Sequence, residues 1–158
     1  TSIKPSVINT PFYNKGLTKL GVKPTGIPPY YDPKLVAEAI LYTAEHPTRD
    51  FIVGDVGRVL DIMQRISPGL VDSILVLIGF PLQRTNEPKT ADAPNNLYQP
   101  TPEYDRVDGD FNQFVIPSVT DWLDRNPLFK GIAVTGMAVG AIALAQWATH
   151  FMTGEAQL

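Results

Sequence analysis

The spacing of apolar residues changes along the chain, and each change predicts a different element. Leu35, Val36, Ala39, Ile40 and Tyr42 recur at helical intervals, while Lys34, Glu38 and Glu45 take the polar side. This predicts an amphipathic helix against a core. Asp32 can cap its first turn, and Pro33 suits the first helical position, where the missing N–H would have had no partner anyway. After His46-Pro47, the run Asp50-Phe51-Ile52-Val53-Gly54 is apolar, too short for a helix and closed by glycine, which predicts a buried strand. Near the start of the sequence, β-branched Ile3 and Val7 flank Pro5-Ser6, the pattern of a strand leading into a turn. A strand, a crossover helix and a second strand therefore follow in order.

Between and beyond these elements the pattern loosens and then tightens again. Pro11, Pro24, Pro28 and Pro29 alternate with Gly16, Gly21 and Gly26, so residues 11–32 predict an irregular loop with at most short helical turns. From about Val56 to Ile66, Val59, Leu60, Met63 and Ile66 interleave with Arg58, Asp61 and Arg65 as on an amphipathic surface helix. Ser67-Pro68 predicts a new cap and helix start. The following Leu70–Phe80 stretch is almost wholly apolar, with Asp72 and Ser73 as its polar residues. It is too short to span a bilayer and suits a core, a dimer contact or a membrane surface. Residues 81–118, rich in Pro, Asn and Asp, show neither period and predict an extended linker wrapped over the surface, or disorder.

The last segment has a third pattern. Gly131 to Phe151 contains no Asp, Glu, Lys or Arg, and twenty-one helical residues extend roughly 30 Å, the thickness of a hydrocarbon core. Its apolar positions surround the axis, which predicts a transmembrane helix; a buried helix of a soluble protein is the alternative. Arg125 and Lys130 precede it and no Lys or Arg follows, so the charge asymmetry places the N-terminal part in the cytoplasm. Gly136 and Gly140 share one face at the spacing that lets two membrane helices approach closely, a possible homodimer contact. The resulting division is residues 1–83, a linker over 84–127 and a hydrophobic helix over 128–152.

Composition narrows the chemistry. A net charge of -3 offers no extended positive field, so nucleic acid is not an expected partner. The absence of cysteine removes disulfides and thiolate metal sites, and His46 and His150 lie far apart in sequence, so no metal site is expected. Asp105, Asp108 and Asp110 lack the full register and terminal Glu of a calcium loop and read as a solvated acidic turn. Lys15, Lys19 and Lys23 could meet a phosphate but suit solubilising surface equally. Tyr30 and Lys34 have the spacing of an acid/base pair, yet Pro33 lies between them at a helix start, which leaves Tyr30 outside the helix.

The order Pro5-Ser6-Val7-Ile8-Asn9-Thr10-Pro11, then a Pro-rich loop, the Tyr31-Asp32-Pro33 helix start and the Phe51–Gly54 strand, resembles the short-chain dehydrogenase/reductase family from Thr1 to about Gln83. The matching family segment is P-G-x-[IV]-x-T-P, with Ser6 here in place of the usual Gly. The resemblance implies an α/β fold: the C-terminal fragment of a Rossmann-type domain, mainly helical with about two short parallel strands, plus the C-terminal hydrophobic helix. It implies NAD or NADP as cofactor, with Pro5 shaping the turn, the Ile8 backbone facing the nicotinamide carboxamide and Thr10 donating a hydroxyl contact.

The family's T-G-x-x-x-G-x-G phosphate loop, catalytic Ser and Tyr-x-x-x-Lys pair all precede this segment, and none occurs here in context. The expectation is therefore an oxidoreductase portion that is catalytically incomplete alone, with no catalytic residue on this chain and the missing N-terminal half as its partner. The alternative is a non-enzymatic, membrane-anchored interaction module with Leu70–Phe80 as its contact surface.

Overall fold

The computed structural model describes the backbone of residues 1–154 and the side chains of residues 1–150. Two compact units divide the chain, Thr1–Asp121 and Trp122–Leu158.

The first unit is built on strand β1 (Ser2–Pro5), helix α1 (Phe12–Lys15), strand β2 (Val22–Pro24), helix α2 (Pro33–Glu45) and strand β3 (Asp50–Val53). β1 and β3 pair in parallel, from Ser2 opposite Asp50 to Pro5 opposite Val53, with α2 as the crossover. The α/β class, mainly helical with short parallel strands, is thus the observed one. Ala39, Phe51 and Val53 form the buried cluster, and Ile3, Leu35, Val36 and Tyr42 pack around it. The alternating side chains of β3 explain this: Phe51 and Val53 share the face that α2 covers. Asp32 caps α2 by accepting from the Lys34 N–H at 2.7 Å, and Pro33 occupies the first turn. Ile40 departs from expectation. It is 52% exposed, because the narrow sheet reaches only Leu35, Val36, Ala39 and Tyr42 on the helix.

Helix α3 (Asp55–Ile66) follows β3 directly and buries no residue fully. α4 (Pro68–Ile74) then runs through a π-helical turn (Leu75–Gly79) into α5 (Phe80–Leu82). Ser67 precedes α4, but its side chain makes no capping hydrogen bond, contrary to the sequence reading. Its backbone N–H instead closes α3 on the Met63 carbonyl. Of this greasy run only Val71 and Gly79 are buried. A core role for the run is therefore excluded within the described residues.

The segment from Arg84 onward is more ordered than its composition predicts. Strand β4 (Arg84–Pro88) pairs antiparallel with β2, and the Thr85 hydroxyl donates to the Lys23 carbonyl at 2.7 Å. Prolines in both strands and the lack of alternation hide this pair from a local reading; each strand is defined only by a partner some sixty residues away. Lys89 donates through Nζ to the carbonyls of Asn14 (2.5 Å), Gly16 (3.0 Å) and Tyr13 (3.4 Å), which satisfies the C-terminal end of α1. Phe111 stacks on Tyr30 with ring centres 4.3 Å apart. The segment read as a linker is in these places fastened to residues 13–30.

Helix α6 (Val119–Arg125) begins at the end of the first unit. Within the second unit, α7 (Pro127–Gly154) starts after Asn126, whose carbonyl accepts from the Lys130 N–H at 3.0 Å. Lys130 Nζ pairs with Asp124 at 2.8 Å, and the Trp122 and Phe129 rings lie 5.2 Å apart. Residues Pro127–His150 are long and apolar enough to cross a membrane, about 36 Å as a helix, and none of the apolar window is buried.

Candidate functional site

The carboxyl ends of β1 and β3 are where a parallel sheet presents its loops and binds ligands. Ser2 and Ser6 donate their N–H groups to the Arg49 and Val53 carbonyls, so even-numbered residues of β1 face β3. Pro5 therefore sits where its N–H would have pointed to the unpaired edge, the position a strand proline tolerates.

Past Pro5 the chain continues the ladder on a new neighbour. Tyr31 N–H donates to the Val7 carbonyl and Asn9 N–H to the Tyr31 carbonyl, each at 2.9 Å, which brackets Ile8 in a parallel bridge to Tyr31. In this pattern the bracketed residue turns its own N–H and C=O to the opposite side. The Ile8 carbonyl accepts from Thr10 N–H at 3.0 Å, while the Ile8 N–H and the Thr10 hydroxyl have no hydrogen bond among the described residues. Pro5, Ile8 and Thr10 thus lie on one short segment, as their sequence spacing requires.

Several neighbours were invisible to sequence reasoning. Asn9 is 1% exposed. Its Nδ2 donates to Asn112 Oδ1 at 2.7 Å and its Oδ1 accepts from Phe111 N–H at 3.1 Å, so it holds a distant loop against the turn. Gly109 passes so close that a Cβ there would stand 2.6 Å from Asn9 Oδ1 and 2.7 Å from the Thr10 carbonyl oxygen.

Gly54 makes the sharp exit from β3 into α3 with φ of 100°. A Cβ there would lie 2.7 Å from the Tyr31 ring and 2.8 Å from Ser6 Cβ, so glycine is required for both conformation and space. Tyr31 is fully buried, and its hydroxyl accepts from the Val56 N–H at 3.1 Å, one of the donors a helix start leaves unpaired. Burial raises its pKa, which keeps the phenol protonated.

Two carboxylates complete this corner. Asp55 accepts from Thr120 N–H (2.8 Å), Thr120 Oγ1 (2.7 Å), Ser118 Oγ (3.1 Å) and Val119 N–H (3.1 Å). Burial opposes its ionisation, but the hydrogen bonds from Thr120, Val119 and Ser118 outweigh it and hold the carboxyl below its ordinary range. Asp121 accepts from Gly54 N–H, and its own N–H donates to Ser118 Oγ at 3.3 Å. The Ser118-x-x-Asp121 spacing is a recognised helix-start signature and signals the Ser118 contact, but not the one with Gly54.

The chemistry available is positional. Beside the corner an open groove of about 460 Å³ is lined by Pro5, Ser6, Val7, Ile52, Gly57 and Leu60 among others. The Tyr30 hydroxyl is buried on the Gly26 carbonyl and Thr25 Oγ1, both at 2.9 Å, while Lys34 reaches Glu38 at 3.9 Å. Lys23 pairs with Glu87 at 3.5 Å and lies 3.9 Å from Asp110. Asp110 also accepts from Asn14 Nδ2 at 2.6 Å and pairs with Arg106, so this member of the acidic turn is tied down and not merely solvated. No group of three His, Cys, Asp or Glu residues able to hold a metal occurs among the described residues.

No protein-family model matches the chain, and no solved structure matches it. A protein designated uncharacterized oxidoreductase YxnA, from Bacillus subtilis (strain 168), is 31% identical over 99 residues. The matched stretch is 62% of this chain and 28% of that protein. The chain therefore has a partial, distant similarity to an oxidoreductase.

Proposed function

We propose that the chain is the C-terminal portion of an NAD(P)-dependent short-chain oxidoreductase, held to a membrane by α7 with the residues ahead of that helix on the cytoplasmic side. The observation that carries this reading is the turn after β1. A parallel strand–helix–strand unit delivers Ile8 at the carboxyl end of its sheet with its N–H directed away from Tyr31 and without a protein partner. In the proposed enzyme that N–H and the Thr10 hydroxyl meet the nicotinamide end of NAD or NADP, and Pro5 shapes the approach. The similarity to an oxidoreductase supports the same class. The phosphate loop and the Ser, Tyr and Lys of catalysis belong to the N-terminal half, whose sheet would pair with the unpaired edge of β1. Gly136 and Gly140, with open space beside each, supply a close-approach face for a second α7 helix.

The test begins with the coding sequence upstream of Thr1. It should encode T-G-x-x-x-G-x-G and Tyr-x-x-x-Lys, and the joined protein should bind NADH or NADPH, read by nucleotide fluorescence. Thr10→Val in that protein should weaken nucleotide binding with folding intact. Absence of both motifs, or no nucleotide binding by the joined protein, rejects the reading in favour of a membrane-anchored interaction module. The exposed apolar run at α4–α5 is the feature that favours that second reading.

A further inference from the structure

The run from α4 through the π-helical turn to α5 exposes apolar side chains on nearly every consecutive position. Leu75 is 41% exposed, Val76 67%, Leu77 75%, Ile78 43% and Phe80 73%. Val76, Leu77 and Phe80, the most exposed of these, fall on one side of the run at helical spacing, opposite buried Val71 and Gly79, so the outward side is a continuous apolar face. Exposed apolar surface on this scale marks an interaction site. Burial is limited to Val71 and Gly79.

The setting of this face selects the occupant. A short helix with one exposed apolar face can lie at the level of lipid headgroups and upper acyl chains with that face covered. The run is also bracketed by polar residues, Asp72 and Ser73 before it and Gln83 and Arg84 after it, which suits a segment entering and leaving an apolar layer. The same chain carries a helix able to cross a bilayer, which would keep the membrane at high effective concentration.

We propose that Leu75–Phe80 is a second membrane contact: a short apolar segment that inserts into the interfacial layer of the bilayer spanned by α7. This rests on the membrane reading of α7, and the two can be tested separately. The protein has no cysteine, so a single introduced thiol can be labelled without background.

Leu77→Cys, Val139→Cys and Lys34→Cys variants of the full chain, each carrying an environment-sensitive fluorophore, would be reconstituted in phosphatidylcholine vesicles with and without doxyl-labelled lipid. The expected result is blue-shifted emission and strong doxyl quenching at positions 77 and 139, with neither at 34. Quenching at 139 but not at 77 overturns the second contact and leaves the anchor standing. A blue shift at 77 without doxyl quenching also overturns it, by showing a protein covering. Quenching at 77 but not at 139 supports the interfacial segment and rejects the anchor.

Discussion

The Gly54 backbone N–H donates to both carboxylate oxygens of Asp121, 3.2 Å to each, across 67 residues of sequence. This contact joins the exit from β3 to the start of α6. The positive φ of Gly54 turns the chain from β3 into α3 at the same point. Asp121→Ala would leave a buried donor unpaired, and a net loss of roughly 1–3 kcal/mol is expected. Urea unfolding followed by circular dichroism would measure it; an unchanged midpoint would show that the contact is not formed in solution.

Gly54→Ala tests the other partner. The positive φ and the contacts with Tyr31 and Ser6 act together, so destabilisation of about 1–3 kcal/mol or more is expected. Gly69, with nothing within 4 Å of an added Cβ, is the matched control. Thermal unfolding should separate the two alanine variants clearly.

Asp55 makes stability depend on pH in a defined direction. Its folded pKa lies below the ordinary 3.8, so the stabilisation is fully present above that value and is lost as pH falls through the folded pKa. Asp110 shifts the same way, through its hydrogen bond from Asn14 and its pairing with Arg106. Asp55→Asn should therefore lower stability at neutral pH and flatten, without abolishing, the fall in stability between about pH 5 and about pH 2. An equally steep acid profile in the variant would contradict the assigned role.

Asn9 offers a test of the loop clamp beside Ile8 and Thr10. Asn9→Ala removes the acceptor of Phe111 N–H and the donor to Asn112, with an expected loss of about 1–3 kcal/mol. Hydrogen exchange should quicken at the Phe111 amide. Exchange at the α2 amides should follow only the global loss of stability.

For α7, Val139→Arg places a charge near the middle of the apolar helix. On insertion scales this opposes a membrane location by about 3 kcal/mol. Carbonate extraction should then release more of the variant than of the parent chain. Complete release of the parent itself would remove the membrane proposal.

The local elements were legible in neighbouring residues. Asp32-Pro33 announced α2, the Phe51–Val53 run announced β3, and the uncharged stretch after Lys130 announced α7. Each depends on periodicity, capping or length, which neighbouring residues specify. The parallel order of β1 and β3 is what the family resemblance implied, and the structure has it.

Contacts between residues far apart in the chain were not legible there. β2 and β4 contain proline and lack alternation, so only their mutual hydrogen bonds make them strands. Asn9 and Asp55 read locally as ordinary polar residues, and Asp121 only as part of a helix start; their further roles come from backbone groups brought alongside by folding. The sequence could not say that Ile40 would face outward or that Leu75–Phe80 would remain uncovered. Apolar character shows that a side chain gains by leaving water, whereas the geometry of the neighbours determines whether there is anything to cover it.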